Sequence, residues 1–130
     1  MPYYISRILD KPFDSVIADV TARLKEQGFG LLTDIDVQAT LKSKLDADIG
    51  KYRILGACNP GFAYEALKLE NKLGVMLPCN VIVREAENGR TEVASIDPVV
   101  AMERTGNAGL ASTAEQVRAR LANTISQLEG

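Results

Sequence analysis

The stretch CNVIVREAENGRTEVASID, residues 79–97, decides the fold, because apolar and polar side chains alternate with a period of two on both sides of Asn88-Gly89. That alternation marks two half-buried strands. The Asn-Gly pair between them is the strongest short hairpin signal, since a two-residue type I′ turn requires positive φ at both central positions. Such a turn sets Arg90 opposite Glu87 and, counting back, Asp97 opposite Asn80. It also sorts the side chains. Asn80, Ile82, Arg84, Val93, Ser95 and Asp97 are predicted on one mixed face, and Cys79, Val81, Val83, Ala94 and Ile96 on a core face. The mixed face is a candidate for holding a small ligand or a second subunit, because a wholly solvated face rarely keeps Ile82 and Val93.

Upstream of the hairpin, Tyr52–Cys58 reads as a strand that changes abruptly at Asn59-Pro60, where Asn caps a helix and Pro opens it. Phe62, Ala66, Leu69 and Leu73 form that helix's apolar stripe, before Gly74 and Pro78 break the chain. Toward the N-terminus, Tyr3–Ile8 is a predicted strand. Asp10 is a candidate cap for a helix with Phe13, Val16, Ile17, Val20 and Leu24 on its buried face, stopped by Gly28. Phe29–Thr33 suits a short strand, and Val37, Leu41 and Leu45 suit a short helix capped by Asp34 or Asp36, with Lys42 and Lys44 in its last turn.

Downstream, the segment after Pro98 through Gly109 is irregular, with one helical turn around Val99–Glu103. Ser112-Thr113-Ala114-Glu115 then fits a capping box, leading into a last helix with Val117, Leu121, Ile125 and Leu128 inward. The resulting order β, α, β, short α, β, α, β, β, α predicts an α+β fold: a mainly antiparallel sheet with helices packed on one face. At 130 residues, 46% of them hydrophobic, the chain is expected to form a single domain over residues 1–130.

Composition excludes several functions. The net charge is −2 with no block of like charges, and Lys42, Lys44 and Lys51 are diluted by Asp46 and Asp48, so no basic footprint for nucleic acid exists. No membrane partner and no export are expected, since there is neither a signal-like apolar run near Met1 nor a stretch of membrane-spanning length. A cytoplasmic protein is the expectation. The absence of histidine removes every Ser-His and Cys-His nucleophile arrangement. With two cysteines besides, no metal site is expected and no cofactor is indicated.

Chemistry therefore concentrates on Cys58 and Cys79, each followed by an asparagine. In a reducing compartment each thiol is by default a small buried hydrophobe. Cys58, however, ends a strand just before a helix N-terminus, a setting that favours a thiolate, and Cys79 would be its resolving partner if the two strand ends adjoin. Candidate ligand-binding residues are Cys58, Asn59, Cys79, Asn80, Arg84, Ser95 and Asp97. Three readings stand side by side: a homodimeric binding module using the mixed sheet face, a thiol-dependent redox or sulfur-handling protein, and a purely structural reading in which both cysteines are core and the motifs are helix caps and turns.

The segments Ile54-Leu55-Gly56-Ala57-Cys58-Asn59-Pro60, Leu77-Pro78-Cys79-Asn80-Val81-Ile82-Val83 and Ile96-Asp97-Pro98 resemble the domain of unknown function 302 family. Gly28-Phe29-Gly30 and Thr33-Asp34-Ile35-Asp36-Val37 extend the resemblance over nearly the whole chain. It implies a TATA-binding-protein-like α+β fold with a curved antiparallel sheet, often assembled as homodimers. It carries no catalytic residues with it, and fold alone does not imply DNA binding.

Overall fold

The computed structural model describes residues 2–130. Five strands are present: β1 (Tyr4–Leu9), β2 (Gly30–Asp36), β3 (Tyr52–Cys58), β4 (Cys79–Glu85) and β5 (Thr91–Ile96). Five helices join them: α1 (Phe13–Glu26), α2 (Val37–Leu45), α3 (Pro60–Leu69), α4 (Pro98–Met102) and α5 (Ala111–Ser126). Every strand pairing is antiparallel, in the order β1-β5-β4-β3-β2.

The curved sheet expected from the resemblance is corrected by this order. β1 and β2 are free edges separated by three strands, so the sheet is open and does not curl on itself. Strong curvature needs bulges or kinks spread across several strands. Among the described residues the register shifts at one place, between Leu31 and Thr33, on the edge strand β2. The α+β class and the antiparallel sheet stand.

One face of the sheet lies under the long helices α1 and α5. Phe13, Val16, Val20 and Leu24 of α1 and Val117, Leu121 and Ile125 of α5 pack on Leu55, Ala57, Val81, Val83 and Val93. A smaller cluster of Ala66, Leu73, Met102, Leu110 and Ala114 joins α3, α4 and α5. Arg7 of β1 fastens the far end of α5, donating to the carbonyls of Ile125, Ser126 and Leu128 at 3.1, 3.3 and 2.7 Å. Carbonyls at a helix end lack the full set of partners, and the guanidinium supplies them here; Ile125 also accepts from Leu128 N–H at 3.4 Å.

β2 runs on to Asp36, so Asp34 lies inside the strand and caps nothing, and three helix boundaries differ from the sequence pattern, each for a local reason. α1 starts after Pro12 rather than from an Asp10 cap, because the residue before a proline is kept extended and Lys11 cannot be helical. α3 stops at Leu69 because Asn107 Nδ2 takes the Leu69 carbonyl at 2.9 Å and Glu70 turns extended. α5 is entered through a 3₁₀ turn, Ala108–Leu110, capped by Asn107 Oδ1 on Gly109 N–H at 3.0 Å. Ser112 is therefore already inside the helix and caps nothing.

The hairpin carries the largest correction. Ala86 N–H donates to the Arg90 carbonyl at 2.8 Å, closing a three-residue loop of Glu87, Asn88 and Gly89. Val81 consequently faces Ser95 and Val83 faces Val93, so the register is displaced by one residue from that of a two-residue turn. A one-residue displacement reverses the face of every side chain on the return strand. Thr91, Val93 and Ser95 point to the core, and Glu92, Ala94 and Ile96 join Ile82 and Arg84 on the other face.

Candidate functional site

The ends of β2, β3 and β4 meet at one corner of the sheet, beside the start of α3. Gly30 pairs with Cys58, and Ala57 pairs with Cys79. Cys58 is the last residue of β3. Asn59 then caps α3, its Oδ1 accepting from Phe62 N–H at 3.3 Å, with Pro60 in the first helical position. Gly28 fits against this cap because its φ is +86° and a Cβ there would come within 2.9 Å of Asn59 Nδ2. Gly56 is required one step back along β3. A Cβ at that position would meet Thr33 Oγ1 at 2.1 Å and the Pro78 ring at 2.7 Å.

Cys58, Asn59 and Cys79 line a common cavity of about 30 Å³ with Phe62, Met102 and Val117. Its wall is mostly apolar, and both cysteines are free thiols and half-buried. Burial, and secondarily the neighbouring Cys58, pushes the Cys79 thiol up to about 11. At neutral pH Cys79 is accordingly a protonated thiol.

The other candidates lie elsewhere. Asn80 is exposed beside Gly56 on the face away from α1 and α5. Arg84 shares that face and pairs with Glu92, Nε to Oε1 at 2.7 Å. Ser95 points the opposite way, is buried, and donates to the Ile96 carbonyl at 3.0 Å. Asp97 is buried where β5 ends, capping α4 through Val99 N–H at 3.0 Å and pairing with Arg118 at 2.9 Å. The expected meeting of Asp97 with Asn80 does not occur, because the three-residue loop displaces the register.

Two groups of residues escaped the sequence pattern. Met102 reaches the thiol cavity from a segment whose composition is loop-like, so no periodicity announced it. Glu92, Ala94 and Ile96 belong to the uncovered face, visible only once the register is known. On that face Ser6, Ala94, Ile82, Ile54 and Ile35 stand opposite one another in a row crossing all five strands. Tyr4, Tyr52, Ile82, Arg84, Glu92 and Ile96 line an open groove of about 440 Å³ there.

No group of three or more His, Cys, Asp or Glu residues able to hold a metal exists among the described residues. Nor is any helix among them long and apolar enough to cross a membrane.

An open antiparallel sheet with one face under two long helices, and with a thiol-lined cavity where β3, β4 and α3 meet, defines a small α+β protein without a nucleophile-histidine centre. The family model described as "Domain of unknown function DUF302" matches residues 5–128, and the chain belongs to that family. Its fold is similar to the crystal structure of an uncharacterized conserved protein DUF302 from Bacillus stearothermophilus, with a TM-score of 0.92 and 25% sequence identity. That similarity covers 99% of this chain and 100% of the other. No curated protein matches the chain significantly.

Proposed function

We propose that the chain is a cytoplasmic, single-domain homodimeric binding module whose uncovered sheet face is the subunit interface. One observation carries this reading: the row Ala94, Ile82, Ile54 and Ile35 crosses four adjacent strands on a face that α1 and α5 leave open. Ile35 in the row, and Tyr4 and Ile8 beside it, are each more than two-fifths exposed. A continuous apolar surface of this kind marks an interaction site. The occupant we favour is a second copy. The face bears one Arg84 and one Glu92, so it is neutral, and under a two-fold axis each charge can meet its opposite on the partner. Two sheets stacked this way would bury the isoleucine rows between them about 10 Å apart.

Sedimentation equilibrium tests the proposal. The wild-type chain should sediment as a dimer, and Ile82→Glu should sediment as a folded monomer, because a carboxylate would be placed in the middle of the interface. A wild-type monomer at micromolar concentration would overturn it.

A second reading is supported by the shared cavity of Cys58 and Cys79. In it the Cys58 thiolate attacks a disulfide substrate and expels one thiolate, and Cys79 then displaces the second while forming a Cys58–Cys79 disulfide. The substrate gains the two electrons. Incubation with oxidised glutathione followed by mass analysis of the native chain tests this. An intramolecular disulfide, two hydrogens lighter, supports it, and glutathione retained on Cys58 or no reaction at all opposes it.

A further inference from the structure

We propose that Cys58, Cys79 and Met102 form a binding site for a soft monovalent metal ion of the Cu(I) type. This goes beyond the subunit interface, does not rest on it, and lies on the helix-covered side of the sheet. Cavities that take organic ligands run to roughly 300–1,000 Å³, whereas this one is about 30 Å³. It has room for one ion, not for a metabolite.

Cys58 of β3, Cys79 of β4 and Met102 of α4 all line this one small cavity, whose other walls include Phe29, Phe62 and Val117. Thiolate and thioether donors suit Cu(I), and thiolates hold Zn(II) only where about four ligands complete its tetrahedron. The chain has no histidine, and no cluster of three His, Cys, Asp or Glu exists among the described residues. A four-donor zinc cage is therefore missing, whereas two thiols and a thioether are the number and kind of donors that Cu(I) takes.

Binding releases one proton from each thiol to solvent, leaves the ion's oxidation state unchanged, and gives a centre of net charge −1. α3, ten residues long, begins at Pro60 beside Cys58. The positive end of its dipole favours that negative charge. Cys58 and Asn59 are only half-buried, which leaves the cavity a route from solvent.

The experiment is an anaerobic titration of the reduced full chain with Cu(I) in competition with a chromophoric Cu(I) chelator. One equivalent per chain should be withdrawn from the chelator. Cys58→Ser and Cys79→Ser should each abolish withdrawal, and Met102→Leu, nearly equal in volume, should weaken it by roughly 10-fold or more, the scale of losing a supporting contact at a metal site. Between pH 6 and 8 the affinity should rise by as much as about 100-fold per unit, as release of two protons requires. No withdrawal by the wild type, or withdrawal that survives Cys79→Ser, would overturn the site. So would a Met102→Leu chain indistinguishable from wild type. If the serine variants do not fold, copper-edge X-ray absorption of the loaded wild type decides instead: an all-sulfur shell supports the assignment, and nitrogen or oxygen neighbours overturn it. Ile82→Glu should bind the ion normally, which separates this result from that of the interface.

Discussion

Arg118 of α5 places its Nε 2.9 Å from Oδ2 of Asp97, a carboxylate that is only 2% exposed where β5 gives way to α4. The other carboxylate oxygen accepts from Val99 N–H at 3.0 Å. One side chain thereby joins a strand end, a helix cap and a neighbouring helix. Since α4 carries Met102 to the wall of the thiol cavity, this pair also helps to fix where Met102 stands.

Removing either partner should be costly. Arg118→Met leaves the carboxylate buried with the Val99 N–H as its remaining contact, and we expect a loss of about 2 kcal/mol. That is below the roughly 3–5 kcal/mol of a fully buried pair, because the Arg118 side chain is partly in water. Asp97→Ala loses the cap as well and should cost about 3 kcal/mol, while Asp97→Asn keeps an acceptor for Val99 and should cost less than either. Equilibrium urea unfolding of the three variants checks the order.

Much of this arrangement was legible because local chemistry and tertiary structure agree. Tyr52–Cys58 is the strand its alternation predicted, Asn59-Pro60 caps and opens α3, and Asp36 caps α2 through Ala39 N–H at 2.9 Å. The hairpin was legible in kind but not in register. Asn88 and Gly89 do adopt positive φ, at 61° and 72°, yet Glu87 joins them in the loop. That single added residue moved Ser95 and Asp97 away from Asn80 and Arg84. Openness of the sheet and the reach of Met102 depend on contacts far apart in sequence, which no short-range pattern encodes.

Gly56→Ala tests how tightly the corner is built. The added methyl would strike Thr33 Oγ1 and the Pro78 ring, and the proline cannot rotate away. Overpacking of this kind should destabilise the chain by about 2 kcal/mol. Gly56→Ala with Thr33→Ala relieves one of the two collisions and should recover part of the loss. Thermal unfolding of the single and double variants measures both, and a neutral single variant would show that β2 and β4 are free to separate there.

Cys79 supplies a pH signature. Its thiol is pushed from the ordinary 9.0 to about 11, first by burial and then by Cys58. For an acid whose folded pKa is raised, the folded state holds the proton more tightly. The associated stability is fully present below pH 9 and is lost as pH rises toward 11, where the unfolded chain ionises and the folded chain does not. A shift of this size corresponds to about 2–3 kcal/mol. Comparing wild type with Cys79→Ala by urea unfolding at pH 7, 9 and 10.5 isolates that contribution from all other titrations. The wild type should lose stability relative to the variant only above pH 9. Alkylation gives an independent reading, because at pH 8 roughly one Cys79 in a thousand is ionised. Iodoacetamide should therefore modify it slowly in the native chain and at the ordinary thiol rate in urea. A fast native reaction, or a stability difference flat with pH, would mean that the Cys79 thiol is as well hydrated in the folded chain as in the unfolded one.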